Sequence, residues 1–371
     1  ASCWLKCHYP DVFACALLNS QPMGFYAPSQ LVRDATEHGV EIRPPDINFS
    51  TYDCTLENDG WDARCHIWPR HEAMKQDIWT KKALRLGLRQ VKGLAEKDSE
   101  RIVKRRGDGY RSVRDLWLRT GVPVAGLEKL ARADAFSSLG LNRREALWAV
   151  KGLVGTHGAE TLPLFAAAER VEDALAEEPA GLPLMEPGEE VIHDYSTLSL
   201  SLKGHAVQFL RPVLQARGVT RSVNLAHVPN DIVVEVAGLV LVRQRPGTAS
   251  GVIFATLEDE TGVANIVVWP KLFADDRLRK ILLSSRLLAV RGKVQSEQGV
   301  IHVIAQDLED LTSHLLDLAN GRDIGEAVLA RADEGKSGPP GSQSRDRNTV
   351  REIELARRRA YAALPGGRNF H

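Results

Sequence analysis

Residues 88–106, LRQVKGLAEKDSERIVKRR, constrain this chain more than any other stretch, because they set two helical apolar stripes on either side of a single glycine. Leu88 and Val91 make the first stripe; after Gly93 the helical face resumes at Leu94, Ile102 and Val103, with Ser99 as the small contact residue. A hinge this short needs glycine, which accepts positive φ and lets another molecule come close to the backbone. The helix behind it starts with N–H groups that no earlier carbonyl can satisfy, an arrangement that favours a phosphate oxygen. The pattern predicts a phosphate-gripping helix-hairpin-helix built on Lys92, Gly93, Leu94, Ala95 and Lys97, with Lys104, Arg105 and Arg106 as countercharge. The competing reading is an ordinary helical hairpin with a solvated basic face.

Charge favours the first reading. Lys+Arg and Asp+Glu both number 48, so no global field steers a partner and electrostatic binding has to come from local asymmetry. Residues 81–119 carry 13 Lys+Arg against 5 Asp+Glu, which marks them as the place for a polyanion. Residues 155–200 carry ten acidic side chains and one basic one, Arg170, and are expected to stay away from nucleic acid.

With 371 residues and 43% hydrophobic content, the chain can bury two or three cores. The expected divisions are residues 1–79, with helices over 11–19 and 28–38 and a strand over 40–42; 80–153, with a strand through Leu84, Leu86 and Leu88 feeding the hairpin and a second helical pair over 113–152; and 154–228, an acidic linker with short helices. Trp117, Phe136 and Trp148 are the expected core fillers of the tandem hairpins. In the linker a helix is expected over 165–177, with breaks at Pro179, Pro183 and Pro187. Residues 229–312 change character: five β-rich runs, 232–243, 251–257, 262–268, 286–294 and 300–305, with a helix over 270–283 after the third, follow the order of an OB-fold. Residues 313–371 read as a basic, partly disordered tail with a short helix over 350–363. The expected fold class is α+β and multidomain, a tandem helix-hairpin-helix domain followed by an all-β OB-fold.

Barrels of this kind stack bases on aromatic faces and track phosphates with cations. The candidates are Phe254 and Trp269 for stacking, with Arg243, Arg245, Lys271 and Lys293 for the backbone; the alternative is that both rings fill the barrel. Pro45-Asp46-Ile47-Asn48 with Asp53 suggests a two-metal site, but Asn48 is a poor substitute for a bridging carboxylate, and a capped turn is the better reading. Cys65, His66 and His71 lack a second close pair for zinc, and all five cysteines lie in the first 65 residues with no C-x-x-C, as in a reduced, cytoplasmic protein. No P-loop, G-x-S-x-G or H-E-x-x-H occurs, so no catalytic residue, metal or cofactor is assigned to this chain. No apolar run approaches the ~20 residues that cross a bilayer, and no membrane is expected as a partner. Leu162, Leu164 and Phe165 form a short apolar peptide in the acidic region, suited to a partner's pocket or to packing on the chain's own hairpin domain.

The string NSQPMGFYAPSQLVRDATEHGVEIRPPDIN (19–48), followed by LRLGLRQVKGL (84–94), resembles error-prone C-family DNA polymerases, bacterial relatives of the polymerase III alpha subunit. The similarity continues through ARADAFSSLGLNRREALW (131–148), EEVIHDYSTLSLSLKGHAV (189–207), the barrel and the final Arg368-Asn369-Phe370-His371. Residues 196–201 (STLSLS) are less glycine-rich than the family pattern, and the tail after Pro-Gly-Gly at 365–367 is altered. The resemblance implies that residues 1–79 are the end of a helical fingers domain. It also places the PHP domain, the palm with its metal-binding aspartates and most of the fingers upstream, while the departures leave open whether the gene is intact, truncated or split. It further implies a parent polymerase that uses Mg²⁺ in damage-induced, mutagenic synthesis, with primed or single-stranded DNA, a sliding clamp and translesion accessory proteins as partners. A tract like residues 161–165 is similar to clamp-binding peptides, with Thr161 where Gln is usual. The isolated chain is then expected to bind DNA without extending primers; the alternative is a free-standing, non-enzymatic DNA-binding accessory protein.

Overall fold

Proline opens two helices of the amino-terminal half, Pro10–Asn19 and Pro28–Glu37, where its missing N–H costs nothing. The computed structural model describes residues 1–23, 26–58, 60–153, 181–246, 251–297, 299–321 and 368–370. It divides into two units, Ala1–Met185 with Thr197–Leu202, and Glu186–Ser196 with Lys203–His371. In the first, α1 (Ser2–His8), α2 (Pro10–Asn19) and α3 (Pro28–Glu37) precede a small sheet. Its strands β1 (Ile42–Arg43) and β2 (Thr55–Glu57) flank β3 (Ala83–Arg85), which runs parallel to β1 and antiparallel to β2. Then come α4 (Glu96–Arg105), α5 (Val113–Thr120), α6 (Val124–Arg132) and α7 (Arg143–Gly152). One apolar cluster runs from Ala14 through Leu84, Ile102 and Phe136 to Leu200, so residues 1–79 and 80–153 share a core.

Two expectations need correcting here. The first helix of the hairpin is a single 3-10 turn, Leu88–Gln90, because the amides of Leu88 and Arg89 are drawn sideways to the carbonyls of Thr51 (2.9 Å) and Tyr52 (3.0 Å). Trp148 is 55% exposed and fills no core. Ala146 and Val150 take the inward face of α7, and a residue two positions from each lies about 200° around the helix. Phe136 is fully buried and Trp117 is packed at the cluster's edge, as expected.

The second unit starts with α8 (Pro187–Leu198), for which Pro187 supplies the first turn instead of a break, and α9 (Ala206–Ala216). A closed barrel follows: β4 (Val233–Gln244), β5 (Ile253–Glu258), β6 (Val263–Val268), the helices α10 (Pro270–Phe273) and α11 (Asp276–Ser284), β7 (Leu287–Glu297) and β8 (Val300–Asp310). The strand order is β5-β6-β8-β7-β4, and β4 returns to pair with β5; only the β6–β8 pair within the barrel is parallel. Because β4 is shared between two neighbours it must bend, and Gly238 stands at the crossing. A β-carbon there would lie 2.6 Å from the Glu258 carbonyl oxygen, so only glycine fits. Alternate residues such as Val236, Ile253, Ala255, Ile266, Val290 and Val303 fill the interior. Outside, α8, α9 and α12 (Thr312–Ala319) pack on Ala237, Leu239, Leu287 and Ala289. The region expected as a tail thus supplies α12, and also β9 (Arg368–Phe370), which pairs in parallel with Val242–Gln244 of β4. The helices expected over 165–177 and 350–363, and the peptide Leu162, Leu164 and Phe165, lie outside the described residues.

The Asp46–Ser50 turn is a staple. Asp46 accepts bonds from Ser137 Oγ (3.0 Å), Ser138 N (2.9 Å) and Asn48 N (2.7 Å), so its carboxylate is spent inside the fold. Asn48 Nδ2 donates to the Tyr110 carbonyl (3.1 Å) and Ser138 Oγ (3.0 Å), while its Oδ1 accepts from Tyr110 N (2.7 Å). Replacing Asn48 by Ala strands both groups of Tyr110 and is expected to cost about 2–3 kcal/mol, read as a lower urea midpoint with an unchanged slope.

Candidate nucleic-acid interface

Between the 3-10 turn and α4 the chain reverses over residues 91–95. Gly93 sits at the exposed tip with φ +74°, the left-handed region that a side chain strains. Ala95 is the N-cap of α4 and offers no side-chain acceptor. Among the described residues, the amides of Gly93, Ala95, Glu96 and Lys97 therefore carry no hydrogen bond, and the side chain of Lys97 is exposed beside them. The other two predicted residues have different work. The Lys92 amide donates to the Thr197 carbonyl (2.9 Å), although its side chain remains exposed, and half-buried Leu94 donates to the Val91 carbonyl (3.2 Å) and packs on the core. Glu96 and Asp98 in the first turn of α4 offset the helix's partial positive charge; Asp98 is buried, so Glu96 is the carboxylate that meets an incoming anion.

Arg106 does not belong to this site. Its Nε donates to the Ile47 carbonyl (2.8 Å), a second nitrogen donates to the Ser50 carbonyl, and burial lowers its pKa. Arg105 is exposed but lies eight residues beyond Lys97, about 12 Å along the helix. Arg119 is also occupied: it donates to the carbonyls of Arg105, Arg106 and Gly109 at the end of α4.

On the barrel, the register places Phe254 opposite Val267, Val267 opposite Ile304 and Ile304 opposite Lys293. Cross-strand partners share a face, so these four form one row on the face turned away from the interior, where Val267 is buried and Ile304 half-buried between exposed Phe254 and Lys293. Phe254 is 36% exposed and Trp269, just after β6, is 53% exposed, so neither ring is interior filler. Lys271 is exposed beyond Trp269, exposed Arg245 lies 5.3 Å from the Phe273 ring centre, and Lys293 is 3.9 Å from Asp231, which offsets part of its charge. Arg243 is a correction. It is 6% exposed, Nε donates to the Leu282 carbonyl (2.5 Å), another nitrogen donates to the Ser285 carbonyl, and burial pulls its pKa down to about 10. It fastens the end of α11 to β4. Val267 and Ile304 were missed, because their membership of the row comes from pairing between distant strands.

Two family models match the chain: a helix-hairpin-helix motif over residues 39–146 and an OB-fold nucleic acid binding domain over residues 234–311. The whole chain is also 51% identical over 383 residues to error-prone DNA polymerase 1 of Rhizobium meliloti, covering 34% of that protein. Over its whole length the chain is similar to a part of error-prone DNA polymerases. Error-prone DNA polymerase of Caulobacter vibrioides is 50% identical over 320 residues, 85% of this chain and 29% of that protein. The chain spans about a third of the length of the curated relatives it matches. Among solved structures, asparaginyl-tRNA synthetase from Pyrococcus horikoshii is 25% identical over 22% of this chain and 20% of its own, with a TM-score of 0.20, too low to carry an argument. Among the described residues, no three His, Cys, Asp or Glu side chains are grouped to hold a metal ion, and no helix is long and apolar enough to cross a membrane.

Arg243→Met removes two charge-assisted bonds to carbonyls and is expected to cost about 3 kcal/mol of stability. In a salt titration, DNA binding by the folded variant should keep the slope of the parent chain, whereas a lower slope would return Arg243 to the phosphate-binding set.

Proposed function

We propose that this chain is the DNA-holding part of an error-prone polymerase, with the hairpin on duplex phosphates and the barrel on unpaired template. The observation that carries the reading is the open start of α4: four unpartnered amides at an exposed glycine turn, beside Lys97, in the most basic stretch of the sequence. Amides aimed at phosphate position a duplex without reading its bases, as an enzyme that moves along any sequence requires. The row from Phe254 to Lys293, with Trp269 and Lys271, fits a strand held by stacking and by cations. Nucleotide addition, an in-line attack of the primer 3′ hydroxyl assisted by two Mg²⁺, is assigned to the part of the relatives' length that this chain does not match. We assign the parent enzyme to damage-induced synthesis in the cytoplasm, with a sliding clamp and translesion accessory proteins as its partners.

Anisotropy titrations on primed and single-stranded DNA test this. Binding should weaken linearly in log–log form as salt rises, since each neutralised phosphate releases counterions. Gly93→Val should abolish duplex binding through backbone strain, because a β-carbon at Gly93 would meet only ordinary contacts at 3.5 Å or more. Phe254→Ala and Trp269→Ala should each weaken single-strand binding by about 1–3 kcal/mol. No primer extension is expected with Mg²⁺ and all four nucleotides; extension by the purified chain would contradict the division of labour.

A further inference from the structure

The Gly93 turn is held from outside its own hairpin. Lys129, on α6, donates from Nζ to the Gly93 carbonyl (2.5 Å). Its Cε, Nζ and Cδ lie 3.5, 3.6 and 3.8 Å from the position a Gly93 β-carbon would take, so its stem lines the space that glycine leaves open without filling it. The base of that stem is rigid, because neighbouring Leu127, Leu130 and Ala131 on α6 are fully buried. Gly126 on the same helix faces Asp98 and Leu94: a β-carbon there would lie 3.7 Å from Asp98 Oδ2 and 3.8 Å from Leu94 Cδ1, so α6 runs close beside the start of α4.

An ammonium has three donors, and one is used on Gly93. None of the ion pairs among the described residues takes up Lys129, so its charge stands at the turn whose own amides are unpartnered. We propose that Lys129 is a positioning residue for phosphate: it fixes the carbonyl side of the Gly93 turn so that the amide side stays open, and it supplies a cation to the same phosphate. The second hairpin then serves the first by completing its anion site. This inference rests on the hairpin reading above.

The test is a salt series of anisotropy titrations on a primed duplex with the 371-residue chain and three variants, each checked by its urea midpoint. Lys129→Gln retains a donor for Gly93 without the charge; it should lower affinity about tenfold and reduce the log–log salt slope by about 1. Lys129→Met, which removes donor and charge, should lose more affinity with the same change in slope. Lys129→Arg should restore the parent slope. If the parent chain shows no salt-dependent duplex binding, the hairpin reading itself fails. If the parent binds and Lys129→Gln keeps its slope, the hairpin reading stands and Lys129 is only a strut, which overturns the proposal.

Discussion

An α-helix that begins without a side-chain cap must find other acceptors for its first amides, and α4 begins that way. Ser112 at α5 and Asn142 at α7 accept bonds from their own helices through their side chains. Ala95 cannot. The turn before it is a positive-φ glycine whose carbonyl is taken by Lys129, and among the described residues the amides of residues 93 and 95–97 have no acceptor. The surroundings support that opening: the Asn48 staple and the Arg106 and Arg119 bonds to carbonyls hold the segments around α4. An anion is the natural complement of such a site, and a chain of phosphates supplies one at every nucleotide.

The barrel solves a different problem. Closure of β4 on both β5 and β7 leaves no long edge among its five strands, so its outer face can carry exposed aromatic rings without inviting strand pairing. Arg243 inside and Lys293 outside show how alternation sorts cations of similar sequence context. One is spent on carbonyls at the end of α11, and the other remains in water.

What could be read in the sequence was local. The glycine turn, the helix after it, the five strands and the helical stretch between the third and fourth, which the structure divides into α10 and α11, each announce themselves within some fifteen residues, through period and punctuation. Roles set by distant partners were not legible. Arg106 and Arg243 look like any exposed arginine until the carbonyls of Ile47, Ser50, Leu282 and Ser285 are brought beside them. Lys129 is 36 residues from the turn it holds, and β2 and β9, at three residues each, are too short for a period to show. Even the first arm of the hairpin departed from its apolar spacing, because Thr51 and Tyr52 compete for its amides.

Amide resonances report directly on whether the open turn is where phosphate binds. Titrating a primed duplex into ¹⁵N-labelled chain should shift the Gly93, Ala95, Glu96 and Lys97 amides downfield together, with a common affinity that falls as salt is raised. If those four stay in place while amides elsewhere move, DNA is held by another surface and the hairpin is a structural element alone.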